Sequence, residues 1–149
     1  MSDQPSAPDS VSGGAADSAA DSAPDEQLVE LATRLFGMAR EGETATLAAY
    51  VDAGVPVNLA NEQGDTLLML AAYHGHPATV GALIERGADV NRLNGRGQSP
   101  LAGAVFKGED EVVRALVAGG ADPRAGHPTA VDTATMFGRA DLLEVLEPR

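Results

Sequence analysis

The chain has 149 residues, enough for about one domain, with 22 acidic and 10 basic side chains and a net charge of −12. That balance disfavours nucleic-acid backbones and anionic membrane surfaces, both of which attract clusters of Lys and Arg. With no cysteine, disulfides, thiolate metal sites and cysteine nucleophiles are excluded together.

The opening stretch MSDQPSAPDSVSGG has no basic n-region and no apolar h-region, so it does not read as a secretory signal. Nowhere does the chain offer the ~18 consecutive apolar residues of a membrane helix. A cytoplasmic location is the resulting expectation. Residues 1–24 hold almost nothing apolar beyond Met1 and Val11, and carry Asp3, Asp9, Asp17 and Asp21 without a base. Ordering such a stretch costs ~1–2 kcal/mol of backbone entropy per residue with no burial in return, so a disordered acidic tail is predicted. The plain reading is a solubilising leader. The sharper one is a short interaction or phosphorylation segment, with Ser10, Ser18 and Ser22 beside acids.

From Asp25 the texture changes. Leu28, Leu31, Ala32, Leu35 and Met38–Ala39 fall at helical spacing on one stripe, Ser22 and Asp25 form a variant capping box, and Gly42 is a plausible stop. Beyond it the sequence repeats itself. Gly42, Gly75 and Gly108 stand 33 apart, as do Gly54, Gly87 and Gly120, and likewise Gly64 and Gly97. Leu35, Leu68 and Leu101 follow the same interval, and so do Tyr50, Leu83 and Leu116. The block RGADVN (Arg86–Asn91) matches GGADPR (Gly119–Arg124) and, more loosely, AGVPVN (Ala53–Asn58).

Each unit predicts a helix pair. Thr66 and Ser99 are caps, and Pro100 occupies a first helical position, where its missing N–H costs nothing. A first helix carries Leu68, Ala71 and Ala72, or Leu101, Ala104 and Val105, whose small members let neighbouring helices approach closely; Gly75 and Gly108 end it. A second helix near Pro77–Glu85 and Glu109–Ala118 turns Val80, Leu83 and Ile84, or Val112, Val113, Leu116 and Val117, to an apolar face. Gly87 and Gly120 supply left-handed caps before a polar projecting turn.

A 33-residue helix–turn–helix plus turn resembles the ankyrin repeat, and the likeness extends over about residues 25–149. It is carried by Gly75-His76, Gly87–Asn91 and Ser99-Pro100-Leu101. The resemblance implies an all-α ankyrin-repeat solenoid of about four helix–turn–helix units, near 25–60, 61–93, 94–125 and 126–149. The chain departs from the family pattern at the histidine of the T-P-L-H-x-A motif, where Met69, Ala102 and Asp132 stand. In the family that histidine ties adjacent repeats by hydrogen bonds, so an array held by packing alone is expected.

No catalytic residue, cofactor site or metal site emerges. His74 and His76 are two apart, which does not place them side by side at a helix end, and His76 reads as the repeat's own structural histidine. His127 lies in a turn. Glu109, Asp110 and Glu111 read as acids at a helix start, favoured by the macrodipole. Gly95-Arg96-Gly97 is too short for a phosphate loop. The enzyme hypothesis has no residue to stand on.

The resemblance implies instead a monomeric protein-binding module whose turns and exposed first-helix sides line a concave surface. Carried over by position, the candidate partner-binding residues are Arg40; Glu62, Gln63, Asp65, Tyr73 and His74; Arg96, Gln98, Phe106 and Lys107; and Met136 and Phe137. Tyr73 and Phe106 are 33 apart, Met136 takes the same place in a last unit three residues shorter, and Phe137 adjoins it. These side chains are expected to stack into a row. The function expected is that of an adaptor or stoichiometric inhibitor; the alternatives are an accessory subunit of an enzyme encoded nearby and an exported effector.

Overall fold

A computed structural model describes residues 22–148. The acidic tail expected over residues 1–24 and the Ser22–Asp25 capping contact fall outside the described residues and side chains, although the first helix already begins at Ser22. The chain divides between Arg34 and Leu35, within that helix.

Eight helices are described: α1 (Ser22–Glu41), α2 (Thr44–Asp52), α3 (Leu67–Tyr73), α4 (Pro77–Glu85), α5 (Pro100–Lys107), α6 (Asp110–Ala118), α7 (Ala130–Met136) and α8 (Ala140–Leu146). Among the described residues there is no strand, only one isolated antiparallel bridge between Ala60 and Thr66. The first part of the chain, up to Arg34, leaves Leu28 and Val29 exposed, and the Thr33 hydroxyl donates to the Val29 carbonyl. The second part, from Leu35, forms the repeat array.

Local signals in the array act as the sequence predicts. The Thr66 and Ser99 hydroxyls accept from the N–H groups of Met69 and Ala102, three residues on, at 3.1 and 3.0 Å, and Thr129, not named as a cap from the sequence, does the same for Asp132 at 2.9 Å. Pro77 and Pro100 sit in the first turns of α4 and α5. Helix α3 pairs with α4, α5 with α6 and α7 with α8, each pair an antiparallel hairpin. The first helices α3, α5 and α7 stack in one row, and the second helices α2, α4, α6 and α8 in another. Leu47, Leu68, Leu83, Leu101, Leu116 and Leu142 are all buried, and so are the small side chains of Ala71, Ala72, Ala104 and Ala134.

The expectation of packing alone is corrected by the structure. Adjacent units are tied by a repeated set of polar bonds that does not use the missing histidine. The Asn58 side-chain oxygen accepts from the Asp89 N–H at 2.8 Å, and Asn91 repeats this on Asp122 at 2.7 Å. His76 closes a 2.6 Å bond between its Nε2 and the Arg40 carbonyl, as a structural histidine should. The Thr44 and Thr79 hydroxyls meet at 2.6 Å. At the far end the Arg139 guanidinium donates to Asp110 at 2.8 Å and to Asp141 at 2.9 Å, holding the Asp141 carboxyl below the usual carboxylate range. Each bond spans the seam between one unit and the next, or anchors a group that does, so register is specified as well as contact.

One turn shows why a glycine stands there. Gly64 has φ +81, and a Cβ at this position would lie 2.7 Å from the Gly95 amide nitrogen. That approach brings the Gly95 N–H within 2.8 Å of the Gln63 carbonyl, a backbone bond from turn to turn.

Candidate functional site

The row of first helices leaves its end residues uncovered. Tyr73 at the end of α3, Phe106 in the last turn of α5, and Met136 and Phe137 at the end of α7 are 39%, 59%, 71% and 49% exposed. These are the large apolar groups that sequence phase placed in a row, and the structure brings them together around one open groove of about 280 Å³. Phe106 meets Phe137 edge to face, with ring centroids 5.7 Å apart. Met69, Pro100 and Ala102 also line the groove, and Gln98, Ser99 and Thr133 are its polar members.

One lining position of the groove, Gly103, has no side chain. Thirty-three residues before Gly103 stands Leu70, and Thr133 holds the same phase in the shortened last unit; both are buried. With only a hydrogen at Gly103, the surface between Tyr73 and Phe106 sinks to the helix backbone. A Cβ there would stand 3.4 Å from Cδ1 of the Tyr73 ring. Gly103 lies inside α5 and is not among the glycines with positive φ, so Gly103→Ala is expected to stabilise the array by ~0.5–1 kcal/mol while narrowing the groove. Thermal melting checks the first effect, and an unchanged or lower Tm would contradict the helical assignment of this residue.

The other predicted residues divide. Lys107 stands over the Tyr73 ring, its Nζ 4.9 Å from the centroid, and His74 meets the same ring edge-on at 5.8 Å. Gln98 lines the groove. Asp65 is committed elsewhere: its carboxylate accepts from the Asn94 side-chain amide at 2.9 Å. Glu62, Gln63 and Arg96 are exposed on the turns and do not line the groove. Arg40 is exposed and contributes its carbonyl to His76. Burial lowers the pKa of His74, and the neighbouring charges of Arg40, His76 and Lys107 lower it further.

Gly103, Met69 and Pro128 line the groove but are not among the candidate site residues of the sequence, although the glycine at a leucine phase is a visible signal there. Among the described residues no three His, Asp or Glu side chains gather as a metal site requires. No described helix is long and apolar enough to cross a membrane.

Residues 35–127 match the family model for ankyrin repeats in three copies. The chain belongs to the ankyrin repeat family. Its array resembles the crystal structure of the human ASB11 ankyrin repeat domain with a TM-score of 0.67 and 30% identity, over 75% of this chain and 52% of that one. A Pseudomonas aeruginosa protein named as an ankyrin repeat protein is 45% identical over 50 residues, which is 34% of this chain. That match spans 29% of the bacterial relative's length. Ankyrin repeats are protein–protein interaction modules, and the ends of the first helices expose four of the large apolar side chains of this ankyrin array.

Proposed function

We propose that this ankyrin array binds one protein partner stoichiometrically, as an adaptor or inhibitor, through the concave side formed by the first helices and their turns. The observation that carries the reading is the groove across α3, α5 and α7, with four large apolar side chains exposed in a chain that has only five aromatics. A contiguous apolar surface of this kind, rimmed by polar groups, marks an interaction site more than scattered exposure does. Aromatic side chains are the usual anchors of such contacts, worth ~2 kcal/mol or more each when they reach a pocket.

The double substitution Tyr73→Ala/Phe106→Ala is expected to abolish partner capture while leaving the helical circular-dichroism signal intact. Affinity capture from lysate with mass spectrometry compares it with the parent chain. Recovery of the same partner at the same strength by both would overturn the site. Recovery of nucleic acid or a small metabolite in place of protein would overturn the function.

A further inference from the structure

The groove is unlike at its two ends. Phe106, Met136 and Phe137 make one end apolar, with no charged side chain lining it. The other end is Tyr73, flanked by Lys107 and His74. Arg40 holds the phase of Tyr73 and Phe106 in the first unit, so the row that is aromatic in the middle ends on a guanidinium. Among the described residues no carboxylate comes within ion-pair distance of Arg40 or Lys107, as none does for Arg92, Arg96 or Arg114, whereas Arg86, Arg124 and Arg139 are paired. Burial lowers the His74 pKa, and the cationic Arg40 and Lys107 lower it further. Glu109 sets its carboxylate against Gly75 and Glu41 holds the phase of His74, so this end also has acids near it, yet neither neutralises Lys107 directly.

Two polar groups here offer donors. Gln98 uses its side-chain oxygen to accept from Asn94 at 2.8 Å, which leaves its NH₂ group for the groove it lines. Lys107 can only donate. An amide donor and an ammonium beside an apolar trough ask for an occupant with acceptors and, given the ammonium, with negative charge.

Resting on the protein-binding reading above, we propose that the groove takes a segment of a partner protein that sets a bulky apolar side chain among Phe106, Met136 and Phe137 and an Asp or Glu carboxylate at the Tyr73–Lys107 end. A polypeptide fits better than a small amphiphile because the walls themselves are so open. Met136 and Phe106 keep 71% and 59% of their surface in water, and only a broad occupant covers both. Met136 is unbranched and polarizable, so it adapts to the shape of whichever apolar residue arrives. The carboxylate fixes the direction in which the segment lies along the row. In a chain of charge −12 such an acidic partner is held by this local patch against the field of the whole.

The test is selection of short random peptides on the immobilised full chain, on Arg40→Glu/Lys107→Glu, and on Phe106→Glu. The parent is expected to enrich peptides that carry a bulky apolar residue with Asp or Glu nearby. The charge-reversed variant is expected to lose that acidic preference, with roughly tenfold weaker binding of the parent's best peptide at low salt and a smaller gap at high salt. Phe106→Glu is expected to enrich nothing in common with the parent. Apolar peptides without acids that the parent selects and Phe106→Glu loses would overturn the acidic occupant and leave the groove as the site. The same peptides recovered by parent and Phe106→Glu would overturn the groove itself. Failure of the parent to enrich any peptide, or enrichment of basic ones, would also overturn the proposal.

Discussion

Ala104→Glu is expected to abolish the cooperative thermal transition of the array. Ala104 is fully buried in α5, in the row where α3, α5 and α7 stack, and its counterparts Ala71 and Ala134 are equally buried. A glutamate there has no room for its side chain and no partner for its charge. An ionised carboxylate without a partner in such a seam costs far more than the ~5–15 kcal/mol that stabilises an ordinary domain, and protonating it still leaves an overpacked polar group. Position within the array sharpens the effect. Each repeat is stabilised by its neighbours, so separating α5 from α3 and α7 removes the support of the units on both sides. Melting followed by circular dichroism decides it: a cooperative transition near the parent's would contradict the stacking described here.

The second large effect is expected at Asn94, a residue that belongs to no helix. Its side-chain oxygen accepts from the N–H groups of Arg96 and Gln98 at 2.9 and 3.0 Å, and its amide nitrogen donates to Asp65 and Gln98 at 2.9 and 2.8 Å. All the hydrogen-bonding capacity of the side chain is used, and the residue is buried. Asn94→Ala leaves these partners without it at a turn that also joins the unit before, and is expected to cost ~2–4 kcal/mol, about a 10 °C fall in Tm. Asn61 is the matched control. It holds the same phase, 33 residues earlier, but its side-chain oxygen serves only the N–H groups of Gln63 and Asp65. Asn61→Ala is therefore expected to cost clearly less. Equal losses at the two positions would show that the bonds from the Asn94 amide to Asp65 and Gln98, the first of which links one turn to the next, contribute nothing.

Gly103→Ala and the Tyr73→Ala/Phe106→Ala pair complete the contrast. The alanine at Gly103 strengthens a helix and narrows the groove, whereas the double truncation leaves the buried rows alone and removes two of the three aromatic rings that line the groove. The position that weakens α5 is thus the one that leaves the surface without a side chain.

The sequence by itself determined the helices and their limits. Caps, helix-starting prolines and helix-ending glycines act on their own few neighbours, and the 33-residue phase repeats them, so α4 is found at the predicted Pro77–Glu85 and α6 begins one residue inside the predicted start. The same phase placed Tyr73, Phe106 and Met136 in a row, because units that repeat in sequence stack in space. Only the tertiary structure decided what passes between units. Sequence showed the motif histidine to be missing but not that Asn58, Asn91 and Asn94 would carry the polar ties, since an amide side chain on a turn can reach back, forward or into water. Nor could phase decide that Phe106 would meet Phe137, that Asp65 would be spent on Asn94, or that a single glycine would sink the surface beside Tyr73. Those outcomes depend on the distance between neighbouring helices, and close packing of small side chains sets that distance only once the units have stacked.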